Sequence, residues 1–216
     1  MEILTFTGGA FIQNTLLVVC ADGRTALLVD PGAATPEALA AARARKLDVA
    51  AILLTHAHLD HVEGVGAAKR ETGAPVHLHP LDRPLYDSLF VQAASFGVPY
   101  EEQPPPDADL VPGAGLVFGG SEFEVVFVPG HSPGHVMFVS ASEPTAISGD
   151  VIFAGSIGRT DLMGSDHRLL MESIRTRVLA LPPETRLHPG HGPETTVGHE
   201  RATNPFLVPM FSGEMA

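Results

Sequence analysis

Residues 49–54, VAAILL, form an unbroken apolar run that delivers the chain straight into Thr55-His56-Ala57-His58-Leu59-Asp60-His61. A continuous apolar run of that length, too short for an ordinary buried helix, reads as a strand covered on both faces. The fold must therefore enclose a strand between layers and still place three histidines and an aspartate, within six residues, at its end. One histidine there is satisfied as a hydrogen-bonded core residue. Four polar side chains together ask for a shared partner, because burying each unpaired is costly.

The same kind of junction recurs. FVPGHSPGH, AISGD and RLHPGHG each follow an apolar run and break at glycine or a turn, where rigid elements present functional loops. The candidate metal ligands are His56, His58, Asp60, His61, His131, Asp150 and His191. Imidazole nitrogen and carboxylate oxygen suit zinc, iron or manganese, and the lack of cysteine among them argues against a thiolate-rich structural zinc site. The set exceeds the needs of one tetrahedral ion. Two ions about 3.5–4 Å apart and sharing a carboxylate use it fully and can hold a bridging hydroxide as nucleophile. Glycine before the histidines of the repeated PGH permits tight backbone beside the ions.

Elsewhere, strands are expected over residues 2–7, 15–20 and 25–30, then a helix over 35–46 with Thr35 as N-cap and Pro36 in the first helical position. A helix over about 60–70, a strand over 74–79 and a helix over 81–96 follow. Residues 97–120 hold five prolines and five glycines and read as a long exposed loop. Strand patterns resume at 123–130, 135–140 and 145–150, and a helix over 166–181 is stopped by Pro182 and Pro183. Two halves of this kind fit two sheets between helices, an α/β architecture, and residues 1–216 are expected to form a single domain.

Composition narrows the partners. With thirteen Lys plus Arg against twenty-five Asp plus Glu, the net charge of -12 repels a nucleic-acid backbone, whereas bound cations would offset part of it. The single cysteine, Cys20, cannot form an intrachain disulfide and reads as an ordinary strand-end thiol. MEILTFTGGAF lacks a basic segment leading into a long apolar one, so no signal peptide is expected, and no apolar run is long enough to span a bilayer, so a cytoplasmic location is expected, with no membrane partner.

THAHLDH at 55–61, followed in order by His131, Asp150 and His191, resembles the T/S-H-x-H-x-D-H signature of the metallo-beta-lactamase superfamily. The likeness spans nearly the whole chain, LLVDPG at 27–32 included. It implies the four-layer alpha-beta/beta-alpha sandwich with metals at one edge between the sheets. His56, His58 and His131 would hold a first ion, Asp60, His61 and His191 a second, and Asp150 would bridge them. Within the superfamily, GDVIFAGSIGRTDL and PGHGPETTVGHERATNPF are similar to short, single-domain bacterial members of the glyoxalase II (hydroxyacylglutathione hydrolase) group. True beta-lactamases commonly place a cysteine in the second site, and Cys20 lies far upstream of every ligand motif.

That resemblance implies a hydrolase with two divalent transition-metal ions, zinc or iron, manganese being compatible. Its expected substrate is a small thioester such as S-lactoylglutathione or a related hydroxyacyl thioester. Asp60 and Asp150 would be catalytic, with Asp60 orienting the hydroxide, and Arg159 would face the substrate. Full-length glyoxalase II adds a helical domain whose basic residues bind glutathione; here 25 residues follow His191, and the tail after Asn204-Pro205-Phe206 starts Leu207-Val208-Pro209. The alternative is a persulfide dioxygenase, a group that also shares the GRTD element and would use one iron on His56, His131 and Asp150. Asp30 is expected beneath the metal site as a supporting residue. His135 should support the loop of His131, while His77, His79, His167, His188 and His199 read as structural or exposed. Arg159 and Asp161 are open to two readings, an ion pair fixing a loop or a substrate contact, and the two are compatible.

Overall fold

The computed structural model describes residues 1–208. One sheet is laid down in chain order: β1 (Glu2–Gly8), β2 (Gln13–Val19), β3 (Thr25–Val29), β4 (Asp48–Leu53), β5 (Val76–Leu78) and β6 (Ala108–Asp109). The second contains β7 (Gly115–Phe118), β8 (Ser121–Phe127), β9 (Val136–Ser140) and β10 (Thr145–Gly149). After a hairpin of β11 (Ile152–Phe153) and β12 (Ser156–Ile157), it is completed by β13 (Arg186–Pro189) and β14 (Thr195–Thr196). Its spatial order is β14-β13-β10-β9-β8-β7.

Side chains on a strand alternate between faces, and here the alternation divides the interior into three cores. Leu16 and Val18 of β2, Leu27 and Val29 of β3, and Ala51 and Leu53 of β4 meet Phe123, Val125, Val136, Phe138 and Ile147 of the other sheet. Their neighbours Leu17, Ala26, Leu28 and Ile52 turn outward, against helices α1 (Thr35–Ala44), α2 (Leu59–Val62), α3 (Val65–Thr72), α4 (Arg83–Asp87) and α5 (Leu89–Phe96). On the far side, Met137, Ala146 and Leu187 pack against α6 (His167–Ser173), the π-helical turn Ile174–Val178 and α7 (Val197–Thr203). The result is the expected α/β sandwich of four layers. Central strands must be apolar on both faces, which is why residues 49–54 show no alternation; each such buried side chain contributes about 1.5–3 kcal/mol. Among the described residues, no helix is long and apolar enough to cross a membrane.

Several element boundaries differ from those expected, each for a local reason. Ala34, not Thr35, is the N-cap of α1; the Thr35 hydroxyl donates instead to Gly32 O at 2.7 Å. The helix expected over 60–70 is split, because Gly64 docks on that turn, donating from its N–H to Pro31 O at 2.8 Å. A Cβ at Gly64 would lie 2.1 Å from Thr35 Oγ1, so only glycine permits the approach. The helix expected over 81–96 breaks at Ser88, where the Ser88 hydroxyl and the Gln92 amide both donate to Leu85 O; side chains take an acceptor that helix continuation would use. Residues 97–120 are not all loop: Asp107 and Leu110 donate backbone N–H groups to Val76 and Leu78, adding β6, and β7 pairs with β8. The last long helix shifts to π geometry at Ile174 and ends at Val178, short of the expected 181.

Strand direction then sets the place of the site. β3 and β4 are parallel, and β8, β10 and β13 share one direction, since β8 and β10 are each antiparallel to β9 while β10 and β13 are parallel. The chain leaves these strands towards Asp30, His56, His131, Asp150 and His191. An isolated bridge between Gln13 and His191 ties the two sheets at that edge.

Candidate metal centre

Asp30 organises the loop after β4. It is 2% exposed and adopts a positive φ of 48°, unusual for a non-glycine residue. One carboxylate oxygen accepts the Thr55 N–H at 2.7 Å, while the other accepts the Thr55 hydroxyl at 2.6 Å and faces His61 Nδ1 at 3.0 Å. Both oxygens are thereby occupied within the chain. Asp30 sits beneath the cluster as expected and orients it.

The imidazoles are held by one nitrogen so that the other points into the cluster. His131 Nδ1 lies 2.8 Å from Arg159 O, His191 Nδ1 3.1 Å from Phe11 O, and His56 Nδ1 3.0 Å from Thr55 Oγ1. Such outer contacts fix tautomer and ring orientation. His58 presents Nδ1, 2.9 Å from His131 Nε2. If His131 donates to Arg159 O, its Nε2 carries a lone pair, and the two rings converge on a point suited to a cation. Nitrogen or oxygen atoms of His56, His58 and His131 lie within 4.8 Å of one another, as do those of Asp60, His61 and His191. A third group, Asp30 with His56 and His61, meets the same distance but has its carboxylate committed to Thr55. Asp150 stands between the first two: Oδ2 is 3.4 Å from both His131 Nε2 and His191 Nε2, and Oδ1 is 3.4 Å from His61 Nε2.

The donor set fits a metal. His56 Nε2, His61 Nε2 and Asp150 Oδ1 are buried and make no hydrogen bond, an expensive arrangement that a coordinated cation would relieve. Burial also holds His56 well below the ordinary histidine range and His58 at about 3, with neighbouring imidazoles adding to the effect, so these rings are neutral and able to ligate. For Asp150, burial opposes ionisation but His61 and His191 outweigh it, keeping the carboxyl well below its usual value. A Cβ at Gly190 would lie 2.1 Å from Asp150 Oδ1 and 2.5 Å from His61 Cε1, so the PGH glycine is dictated by the crowding its histidine loop creates.

Sequence reasoning missed several supports. Asp82, fully buried, accepts from Ala57 N–H, the Ser132 hydroxyl and Gly134 N–H, clamping the first histidine loop to the PGH loop. Gln92 accepts from Leu59 N–H and donates to Ala57 O. Asn14 donates to Pro189 O and Gly192 O, holding the loop of His191. His135, expected to support the loop of His131, instead turns its side chain to Asp150, whose N–H its Nε2 accepts at 3.0 Å. His77, His79, His167, His188 and His199 lie outside all three donor groups.

Above the cluster opens a cleft of about 460 Å³. Its floor carries His58, Asp60, His131, Asp150 and His191, and its walls are mainly apolar. Arg159 lines the mouth while forking Asp161, Nε to Oδ1 at 2.6 Å and Nη2 to Oδ2 at 2.8 Å. The ion pair and the position at the cleft therefore occur together.

Known proteins match this arrangement over most of its length. Hydroxyacylglutathione hydrolase GloC of Haemophilus influenzae is 37% identical over 209 residues, covering 96% of this chain and 97% of its own. The crystal structure of TTHA1623 in a di-iron-bound form superposes with a TM-score of 0.86 at 44% identity, over 94% of this chain and 100% of that one. The BLEG-1 B3 metallo-beta-lactamase gives 0.88 at 37% identity, over 96% and 100%. With the family profile of the Metallo-beta-lactamase superfamily matching residues 8–191 as well, the chain belongs to that superfamily.

Proposed function

We propose that the protein is a dinuclear metal-dependent hydrolase of a small thioester, with S-lactoylglutathione or a related hydroxyacyl thioester as reference substrate. The observation that carries this reading is the convergence of nitrogen and oxygen donors at the base of a cleft, where His58, Asp60, His131, Asp150 and His191 form the floor and His56 Nε2, His61 Nε2 and Asp150 Oδ1 are buried without a partner. His56, His58 and His131 form one donor set, Asp60, His61 and His191 the other, with Asp150 shared. The name of the Haemophilus relative supports the thioester, and the di-iron form of the 44% identical relative supports two ions. Bound there, two divalent ions, zinc or iron with manganese compatible, would polarise the carbonyl and lower the pKa of a shared water.

The chain's own residues do the rest. Asp60 Oδ2, 3.2 Å from His191 Nε2, orients the attacking water, and Asp150 fixes the spacing of the two donor sets. Arg159 contacts the substrate through Nη1, which its fork with Asp161 leaves unused. A thiol has a pKa near 8.5, so the leaving thiolate needs no obligatory proton and no separate general acid is required.

The test is elemental analysis of the purified protein together with three assays on one sample: S-lactoylglutathione hydrolysis, β-lactam hydrolysis, and oxygen uptake with glutathione persulfide. About two ions per chain with thioester cleavage supports the proposal. One iron with oxygen uptake and little hydrolysis replaces it with the mononuclear dioxygenase, and β-lactam cleavage alone would align the chain with its B3 relative.

A further inference from the structure

The cleft has two chemically distinct parts, and the walls are already satisfied. Beyond the donor residues of the floor, its polar lining is Gln92, Ser95 and Arg159. Gln92 spends its carbonyl on Leu59 N–H and its amide hydrogens on Ala57 O and Leu85 O. The Ser95 hydroxyl donates to Val91 O within its own helix. Arg159 is neutralised by Asp161, and its side chain is 55% exposed. The walls thus offer one guanidinium nitrogen and no lysine.

The remaining wall is built from Phe11, Leu85, Val91, Phe96, Phe153 and Met163, among others. Phe11 and Phe96 meet edge to face at 5.2 Å, joining the turn after β1 to α5 across the mouth. Val91, Phe96 and Met163 are 56%, 43% and 63% exposed. A contiguous apolar rim left open to water beside a polar floor marks a surface meant to be covered by ligand.

We infer that the cleft selects a thioester whose acyl chain is apolar, aliphatic or aromatic, over one bearing several charges. The inference rests on the hydrolase reading and narrows its substrate. A tripeptide thiol with two carboxylates calls for bidentate cationic partners, and the walls supply a single, already paired arginine. A polar group on the acyl chain beyond the reach of the floor would be buried against the apolar wall without a partner, a loss that apolar acyl groups avoid. The chain's net charge of -12 acts in the same direction, against polyanionic carriers.

The test measures kcat/KM for acetyl, butanoyl, hexanoyl, octanoyl and benzoyl thioesters of N-acetylcysteamine, beside S-lactoylglutathione, on the metal-loaded protein. The expected result is a rise of about fourfold for each added methylene until the cleft is filled. Phe96→Ala and Met163→Ser, both at exposed positions that folding tolerates, should each lower the hexanoyl-to-acetyl ratio. A flat series, or S-lactoylglutathione ahead of every apolar substrate by roughly tenfold, overturns the inference while leaving the hydrolase standing. If no thioester is cleaved, the hydrolase reading falls, and calorimetric titration with carboxylates from acetate to octanoate decides the cleft. Affinity rising about fourfold per methylene with a negative heat-capacity change upholds its apolar selectivity, and length-independent affinity overturns it.

Discussion

The two donor groups at the sheet edge are built differently. His56, His58 and His131 are all buried, and their rings crowd one another, His56 and His58 with centroids 4.8 Å apart. Asp60 and His191 open onto the cleft with side chains 15% and 27% exposed, and only His61 of that group is fully enclosed. The first group is the more deeply buried, with His56 fully enclosed and His58 and His131 reaching the floor of the cleft. The second carries a carboxylate and faces water, as a site must if solvent or substrate is to enter. One edge therefore combines a more enclosed donor group with a more open one, the first expected to be the retentive site and the second the exchangeable one, and Asp150 is the side chain that touches both.

The sharpest way to break this picture is to remove the shared residue. Asp150→Ala should strip metal from both groups and lower kcat/KM about 10³-fold or more, since several kcal/mol of transition-state stabilisation go with it. Elemental analysis and steady-state kinetics on one preparation check this; full metal content with full turnover would mean the groups do not share a carboxylate. The next largest effect separates the groups. His191→Ala should leave about one ion per chain and a folded protein, whereas His56→Ala should lose the retentive ion as well. Equal losses from both variants, read by metal analysis and thermal denaturation, would erase the distinction.

Much of this edge was legible in the sequence, because the candidate ligands follow apolar strands directly and in numbers too great for core histidines. What supports them was not. The tripeptide PGH occurs at 129–131, 133–135 and 189–191. Its first and last histidines join donor groups, yet His135 turns behind Asp150 to accept its N–H. The tripeptide is identical in the three cases, and the first two share the loop between β8 and β9, so the difference lies in where along its loop each histidine falls. Asp82 was invisible for a related reason: HPLDRP reads as a helix start, and its hydrogen-bond partners lie 25, 50 and 52 residues away. Fold class followed from apolar runs, while the helix break at Gly64 depended on a contact with Pro31 made only after packing.

Asp82→Asn sharpens the contrast at smaller scale. The carboxylate is buried, which raises its pKa, and its donors from Ser132, Gly134 and Ala57 oppose that rise. The amide would keep the shape but set an NH₂ against at least one of those donors. Affinity for the buried-site ion, measured by chelator competition, should fall about 10–100-fold, the range found for outer supports, with the open site less affected.

The smallest expected effect tests the boundary of the site. In the sequence His77 and His79 alternate about Leu78, as a chelating pair on one strand face would, but β5 ends at Leu78 and His79 caps the turn that follows. Their surroundings also argue against chelation. His79 stacks on Phe127 with centroids 4.9 Å apart, and its Nδ1 accepts from Leu81 N–H, so one nitrogen is engaged away from any ion. His77 is half-buried and belongs to no donor group. Burial lowers its pKa and Asp107 partly counters that, which leaves a neutral ring resting on the strand. His77→Ala should therefore change stability by no more than about 0.5 kcal/mol and leave metal content and kcat/KM within about twofold. A drop in bound metal without loss of folding would show that β5 carries donors of its own, and the division into one retentive and one open group would have to be redrawn.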